Sequence, residues 1–166
     1  MIIPALVISA SANVLVDLFL DLSSLLGPVV DIYLESSFEQ RETIPHTKRG
    51  IEANCQKFVS EDIDNSVARS TFIEYEDLLL NDGCTGIALV DGDLGIEIYF
   101  DEHKLLVIYG WPNMGEEILA ILKEYGIQED CELKTICDGE HMHSTNVGFY
   151  EQFKKLIEQI GALEND

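Results

Sequence analysis

The sequence has few positive charges. Its 166 residues include 31 Asp and Glu but only 10 Lys and Arg, which gives a formal net charge of −21. Nucleic acids and anionic membrane surfaces repel such a chain because they carry negative charge themselves. The composition therefore predicts a protein that binds neither a nucleic acid nor a membrane.

The few cations are also unevenly distributed along the chain. Residues 1–40 contain five acids and no base, and residues 71–103 contain nine acids and no base. The segment from Arg41 to Arg69 holds five bases and five acids. We interpret these bases as neutralising the protein's own carboxylates, since a strong excess of one charge opposes compaction. Basic partners would instead be attracted to residues 71–103.

Cysteines are scarce and unpaired in sequence. None of the four belongs to a C-x-x-C pair, and their density is far below that of a disulfide scaffold. No base precedes Arg41, although a secretory signal requires a basic start, and Asp17 and Asp21 interrupt the apolar amino-terminal stretch. These features predict free thiols and a cytoplasmic protein.

Several motifs of enzymes are missing. The sequence contains no phosphate loop, no dinucleotide-binding glycine fingerprint, no nucleophile elbow and no H-E-x-x-H helix. These absences favour a binding protein over an enzyme, without deciding between them.

Apolar patterning predicts an α+β fold in a single domain over residues 1–166. A strand over 2–8, a helix over 12–26 and a strand over 29–35 form a βαβ pattern, which predicts two parallel strands in one sheet. Residues 86–109 predict an antiparallel three-stranded meander. Together these elements predict a single mixed sheet of about six strands with helices packed on it.

Shorter patterns predict the remaining elements. The spacing of Ile51, Cys55, Phe58 and Val59 is typical of one helix face. Further predictions are an Asp91-Gly92 hairpin turn, a Thr71–Glu74 capping box, an Asn113–Glu116 cap pair, a strand over 132–137 and a helix over 146–160.

The acidic meander suggests the first functional hypothesis, a non-enzymatic binding or regulatory protein that engages a basic protein partner. A surface of one charge sign accelerates the encounter with a partner of the opposite sign. A further alternative is a homodimer that uses the meander face as its own interface. The residues assigned to the partner surface are Asp91, Asp93, Glu97, Tyr99, Asp101 and Glu102.

The alternative hypothesis is a small metal-binding protein or enzyme with a site between the last predicted strand and the last helix. His-x-His on an extended segment places both imidazoles on one side, and a thiolate or carboxylate nearby could complete a zinc site. The spacing matches no standard zinc motif, so a solvated loop explains the same residues. The predicted ligands are Cys137, Asp138, Glu140, His141 and His143.

Overall fold

The structure is a computed structural model that describes residues 3–38 and 55–165, with the side chain of Cys137 outside that description. It confirms an α+β fold, in which seven strands form one sheet with five α-helices. The strands are β1 (Ala5–Ser9), β2 (Val29–Ser36), β3 (Gln56–Asp64), β4 (Thr85–Asp91), β5 (Ile96–Phe100), β6 (Leu105–Tyr109) and β7 (Leu163–Glu164). The helices are α1 (Ala12–Ser23), α2 (Asn65–Glu74), α3 (Glu76–Asn81), α4 (Gly115–Glu124) and α5 (Val147–Ile160).

The strand order differs from the chain order. Neighbouring strands lie in the order β1-β6-β5-β4-β2-β3-β7, and each described pair is antiparallel. The predicted meander is confirmed as β4, β5 and β6, and it forms the centre of the sheet together with β2. Loops after α3 and after β5 therefore lie close to the middle of the molecule rather than at its periphery.

The helices pack on one face of the sheet because successive strand residues alternate between faces. Ile32, Ile98 and Ile108 are almost completely buried against apolar side chains of the helices, including Phe19 and Leu156. The opposite face, which we call the outer face, carries the alternate residues of the same strands. In register across it lie Tyr33, Ala88, Tyr99, Val107 and Val7.

Two predictions about the sheet were wrong in detail. The sheet has seven strands rather than about six, and its neighbouring strands are antiparallel rather than mixed. β1 and β2 do belong to the same sheet, but β6, β5 and β4 lie between them. A sequence pattern identifies strands more readily than it identifies neighbours, because pairing partners are chosen by the whole fold.

The helix predicted through Cys55, Phe58 and Val59 was also wrong, because residues 56–64 form β3. Phe58 packs edge-on against Phe153 of α5, while Val59 pairs with Tyr33 on the outer face. Phe58 and Val59, which the helix pattern places on one face, are consecutive residues of a strand and therefore point to opposite faces of the sheet. Ile2 and Ile51 lie outside the described residues.

Helix boundaries correct two further predictions. Asp64 caps α2 by accepting from the amides of Ser66 and Val67, so no new helix begins at the predicted Thr71–Glu74 box. The Asn113 side chain donates to the carbonyl of Leu94 instead of capping α4. Local capping rules fail here because Thr71 and Glu74 lie inside α2, and because Asn113 bonds to a residue that is distant in sequence.

Two loops also differ from their predictions. Four residues, 92–95, separate β4 from β5, and positive φ occurs at Gly95 instead of Gly92. Residues 132–137 form no strand, and the only regular element between α4 and α5 in the described structure is a one-turn 3-10 helix, Ile136–Asp138. The predicted final helix is confirmed as α5, with Asn146 as its N-cap and Gly161 as its left-handed C-cap.

No helix among the described residues is both long enough and apolar enough to cross a membrane.

Candidate metal centre

The loop between α4 and α5 is attached to the end of α3 at Gly83. The Gly83 amide donates to the carbonyl of Ser144 at 2.9 Å. A Cβ atom at Gly83 would lie 2.7 Å from the Ser144 oxygen, so only glycine permits this approach without a backbone shift. The contact places His141 and His143 beside the turn that joins β5 to β6.

Asp101 shapes that turn and positions its histidine. The Asp101 carboxylate is buried and accepts from the amides of His103 and Leu105 at 2.8 and 2.9 Å. Lys104 adopts positive φ, which lets the chain reverse directly after His103. The imidazole of His103 is consequently held at the edge of the loop that carries the other two histidines.

Three histidine Nε2 atoms meet at one point. The Nε2 atom of His141 lies 3.0 Å from that of His103 and 3.1 Å from that of His143. One ligand atom from each histidine can be chosen so that all lie within 4.8 Å of one another. The spacing suits a metal ion, because a tetrahedral zinc with Zn–N bonds of 2.0–2.1 Å separates its nitrogen ligands by about 3.3 Å.

The other ring nitrogens determine the tautomers. His103 Nδ1 lies 3.1 Å from the Asp101 carboxylate, and His141 Nδ1 lies 3.0 Å from the carbonyl of Gly139. His143 Nδ1 lies 2.8 Å from the Gly83 carbonyl. A carbonyl or carboxylate only accepts, so each Nδ1 carries a proton that it donates. Each neutral ring then presents an unprotonated Nε2 to the shared point.

Unprotonated nitrogens that face one another at about 3 Å repel unless a cation lies between them, and His141 Nε2 has two such neighbours. A single proton could join only one pair of nitrogens, whereas a metal ion contacts all three. Partners on the far ring nitrogens are also the usual outer shell of metal-bound histidines, because they fix the tautomer and the ring orientation. The arrangement can therefore ligate a metal through three imidazoles.

The centre is open to solvent on one side. His141 and His143 are exposed, and the three histidines line a cleft of about 190 Å³. Burial lowers the pKa of Lys104, whose ammonium group donates to the carbonyl of Asp82 at 2.5 Å. The remaining side chains around the cleft are Asn81, Glu102, Lys104, Ile136, Met142 and Ser144.

Glu102 connects the centre to β2. One carboxylate oxygen lies 3.4 Å from His143 Nδ1, and the other accepts from the Ser37 hydroxyl at 2.8 Å. Two acidic residues of the turn between β5 and β6, Asp101 and Glu102, therefore contact the Nδ1 sides of His103 and His143.

The structure brings together only some of the predicted metal ligands. His141 and His143 lie together, but Asp138 accepts from the amide of Thr135 at 2.6 Å as part of a capping box. Glu140 is exposed and lies outside the histidine cluster, and the side chain of Cys137 lies outside the described structure. His103 was missed because it lies 38 residues before His141, and no spacing motif links them.

The predicted partner surface is not continuous. Asp91 is buried and accepts from the amides of Gly27 and Leu94, and Asp101 is buried in its turn. Asp93 is exposed, Glu102 lies at the histidines, and Glu97 and Tyr99 lie on the outer face. Four of the six residues remain accessible, and they lie in three places, with Glu97 and Tyr99 together. Arg41, Lys48 and Arg49 lie outside the described residues.

No protein-family model matches this chain, and no curated protein or solved structure matches it significantly.

Proposed function

We propose that this protein binds a divalent transition metal ion, in the first instance zinc, through the Nε2 atoms of His103, His141 and His143. The observation that supports the proposal is the convergence of these three atoms while each Nδ1 faces an acceptor. This is the second hypothesis from the sequence with His103 added and with Asp138 and Glu140 removed, while the side chain of Cys137 lies outside the described structure.

Ligand chemistry supports zinc over harder ions. Imidazole nitrogens suit zinc, copper, nickel and iron, whereas magnesium and calcium prefer oxygen ligands. The Asp101 carboxylate behind His103 forms the carboxylate–histidine pair that commonly accompanies zinc. Copper and nickel would compete for the same nitrogens, so the choice between them depends on the fourth ligand and on geometry.

The solvent-open side supports a reactive centre over a purely structural one. Structural zinc sites use four protein ligands, while catalytic sites use three and leave one position for water. A zinc-bound water ionises near neutral pH and is then a nucleophile. The cleft beside the histidines offers room for a small substrate, with Lys104 and Asn81 at its rim.

Zinc binding by the untagged protein tests this proposal. Elemental analysis after purification and calorimetric titration of metal-free protein with zinc should both give one zinc per chain. His103→Ala should weaken zinc binding by more than about 100-fold, because a lost ligand costs more than a lost outer-shell partner. Glu140→Ala is the matched control from the same loop and should bind zinc like the wild type.

The two variants distinguish the structural site from the one predicted by sequence. If Glu140→Ala loses zinc while His103→Ala keeps it, the ligands are those of the loop alone and the proposed centre is wrong. Circular dichroism of both variants without metal establishes that each is folded. Absence of stoichiometric zinc, cobalt or copper binding by the folded wild type would also refute the proposal.

Cobalt substitution tests the open position. Four-coordinate cobalt(II) absorbs visible light far more strongly than the six-coordinate ion, so three imidazoles and one water should give an intense spectrum. Azide should change that spectrum by replacing the water. A spectrum that azide leaves unchanged would mean that a fourth protein ligand closes the site.

A further inference from the structure

A second cavity lies on the outer face and shares no lining residue with the histidine cleft. Its volume is about 400 Å³, which is within the usual range for small-molecule sites. Three tyrosines contribute to its wall, Tyr33, Tyr99 and Tyr109, together with the carboxylates of Glu35 and Glu97. We call it the tyrosine cavity.

Sheet register explains why a cavity forms there. Ala88 of β4 lies directly between Tyr33 of β2 and Tyr99 of β5, so two large rings flank a methyl group. At Gly86 a Cβ atom would lie 2.7 Å from the Tyr99 hydroxyl and 3.1 Å from a Glu35 carboxylate oxygen. Small residues on β4 thus form the floor of a trough between larger residues on its two neighbours.

The two carboxylates lie towards opposite ends of this trough. Glu35 pairs with Gly86 and Glu97 pairs with Val90, four residues further along the same strand. At about 3.4 Å per residue, their backbones are roughly 14 Å apart along the strand direction. A linear molecule with cationic groups at both ends can reach both glutamates from within the trough.

The residues that line the cavity carry two carboxylates, Glu35 and Glu97, and one ammonium group, that of Lys57. Glu35 accepts a hydrogen bond from the Tyr99 hydroxyl, and burial together with the charge of Glu35 raises the pKa of Glu97. Lys57 pairs with Glu35 across β2 and β3 but forms no ion pair with either carboxylate within 4 Å. A bound cation would stabilise both carboxylates and replace the water they lose through burial.

We propose that the tyrosine cavity binds a linear aliphatic polyamine, with ammonium groups at Glu35 and Glu97 and methylene chain against Tyr33 and Tyr99. Ammonium groups pair with carboxylates and interact favourably with tyrosine faces, while the connecting methylenes bury against the rings. Anions are repelled by both carboxylates. Neutral aromatic compounds would leave both charges unpaired.

Calorimetric titration with spermidine tests the proposal. The wild type should bind one spermidine at least tenfold more tightly than n-butylamine, which has one ammonium group and can reach one carboxylate only. Glu97→Gln and Tyr99→Phe should each weaken spermidine binding, the former by about tenfold or more. Glu117→Gln removes an exposed carboxylate from α4, on the helix side of the sheet, and should leave binding unchanged.

Four results would overturn the proposal. One is the absence of saturable spermidine binding by the folded protein. Another is equal weakening by Glu117→Gln and Glu97→Gln, which would indicate general attraction to the acidic surface. The third is displacement of spermidine by magnesium at equal charge concentration. Such displacement would mean that spermidine is held only as a general counterion of the acidic protein, because general charge screening does not depend on the shape of the cation. A lysine-rich peptide that binds more tightly than spermidine would assign the cavity to a basic protein partner instead.

Discussion

The histidine centre and the tyrosine cavity are both polar sites in one acidic protein, but the fold builds them differently. The cavity consists of side chains on strands in register, whose positions follow from the central sheet. The histidine centre joins a β-turn to a loop in which residues 138–144 are all exposed. The first site is formed by the strands of the central sheet, while the second depends on a few specific contacts between a turn and a loop.

This difference predicts how metal binding and stability are coupled. A loop with little buried apolar surface opens at low free-energy cost, whereas strands of a buried sheet open only with the whole fold. A metal that binds His103, His141 and His143 together would link the loop to the sheet and stabilise the native state. Spermidine in a preformed trough should change the loop very little.

The largest effect in this comparison is expected from a matched pair of glycine substitutions. In Gly83→Ala the new methyl group meets the backbone of Ser144 at 2.7 Å, which should displace the loop and weaken zinc binding by about 100-fold. In Gly86→Ala it meets the Tyr99 hydroxyl and the Glu35 side chain, away from the histidine centre, so zinc binding should not change.

Calorimetry with zinc and spermidine on both glycine variants provides the measurement. Gly86→Ala should weaken spermidine binding because its methyl group displaces the Tyr99 hydroxyl and the Glu35 side chain, which line the cavity, while Gly83→Ala should bind spermidine normally. Equal effects of both substitutions on both ligands would show that the two sites are not independent.

A smaller effect is expected from the outer shell of the metal. Asp101→Asn keeps an acceptor for the turn amides but removes the charge behind His103, which should weaken zinc binding by about tenfold. Asp93→Asn in the preceding turn is the control, because Asp93 is exposed and its loss should be neutral. Zinc titrations of both variants at one ionic strength measure the difference. An effect of equal size in Asp93→Asn would mean that net charge, rather than contact, determines the affinity.

The smallest expected effect is the pH dependence of stability contributed by Glu97. Because burial and the charge of Glu35 raise its pKa in the folded state, the unfolded chain loses this proton first as pH rises. As pH rises, the folded state therefore loses stability between the pKa of Glu97 in the unfolded chain and its higher pKa in the folded state. Above the higher pKa this loss does not grow further. Glu97→Gln should be more stable than the wild type at pH 7, and this advantage should disappear in acid.

Urea unfolding of wild type and Glu97→Gln between pH 4 and pH 7 measures this dependence. Glu117→Gln, whose carboxylate is exposed, should show no such pH-dependent gain. A gain of Glu97→Gln that grows towards acid would have the wrong sign for a raised pKa.

How far the sequence could predict the structure also differs between the two regions. Apolar alternation over residues 86–109 was sufficient to predict β4, β5 and β6. Such alternation arises because one face of each strand is buried, and burial of one face is the strongest sequence signal of local structure.

The histidine centre could be predicted only in part. The His-x-His pattern identified His141 and His143, but His103 belongs to a turn whose distance from them depends on the strand order. Asp138 has a local role in its own 3-10 helix, which composition alone does not reveal. The acidic residues Asp91 and Asp101 likewise satisfy backbone amides inside the fold. Net charge does not distinguish such structural carboxylates from those of a binding surface.

The most direct test of the metal centre is an NMR measurement of its imidazole nitrogens. Long-range proton–nitrogen correlation spectra of uniformly ¹⁵N-labelled protein distinguish the two neutral tautomers and detect metal at either nitrogen. We expect His103, His141 and His143 to carry their protons on Nδ1, and we expect one equivalent of zinc to shift all three Nε2 resonances. Protons found on Nε2, or Nε2 resonances that zinc leaves in place, would contradict the proposed metal centre.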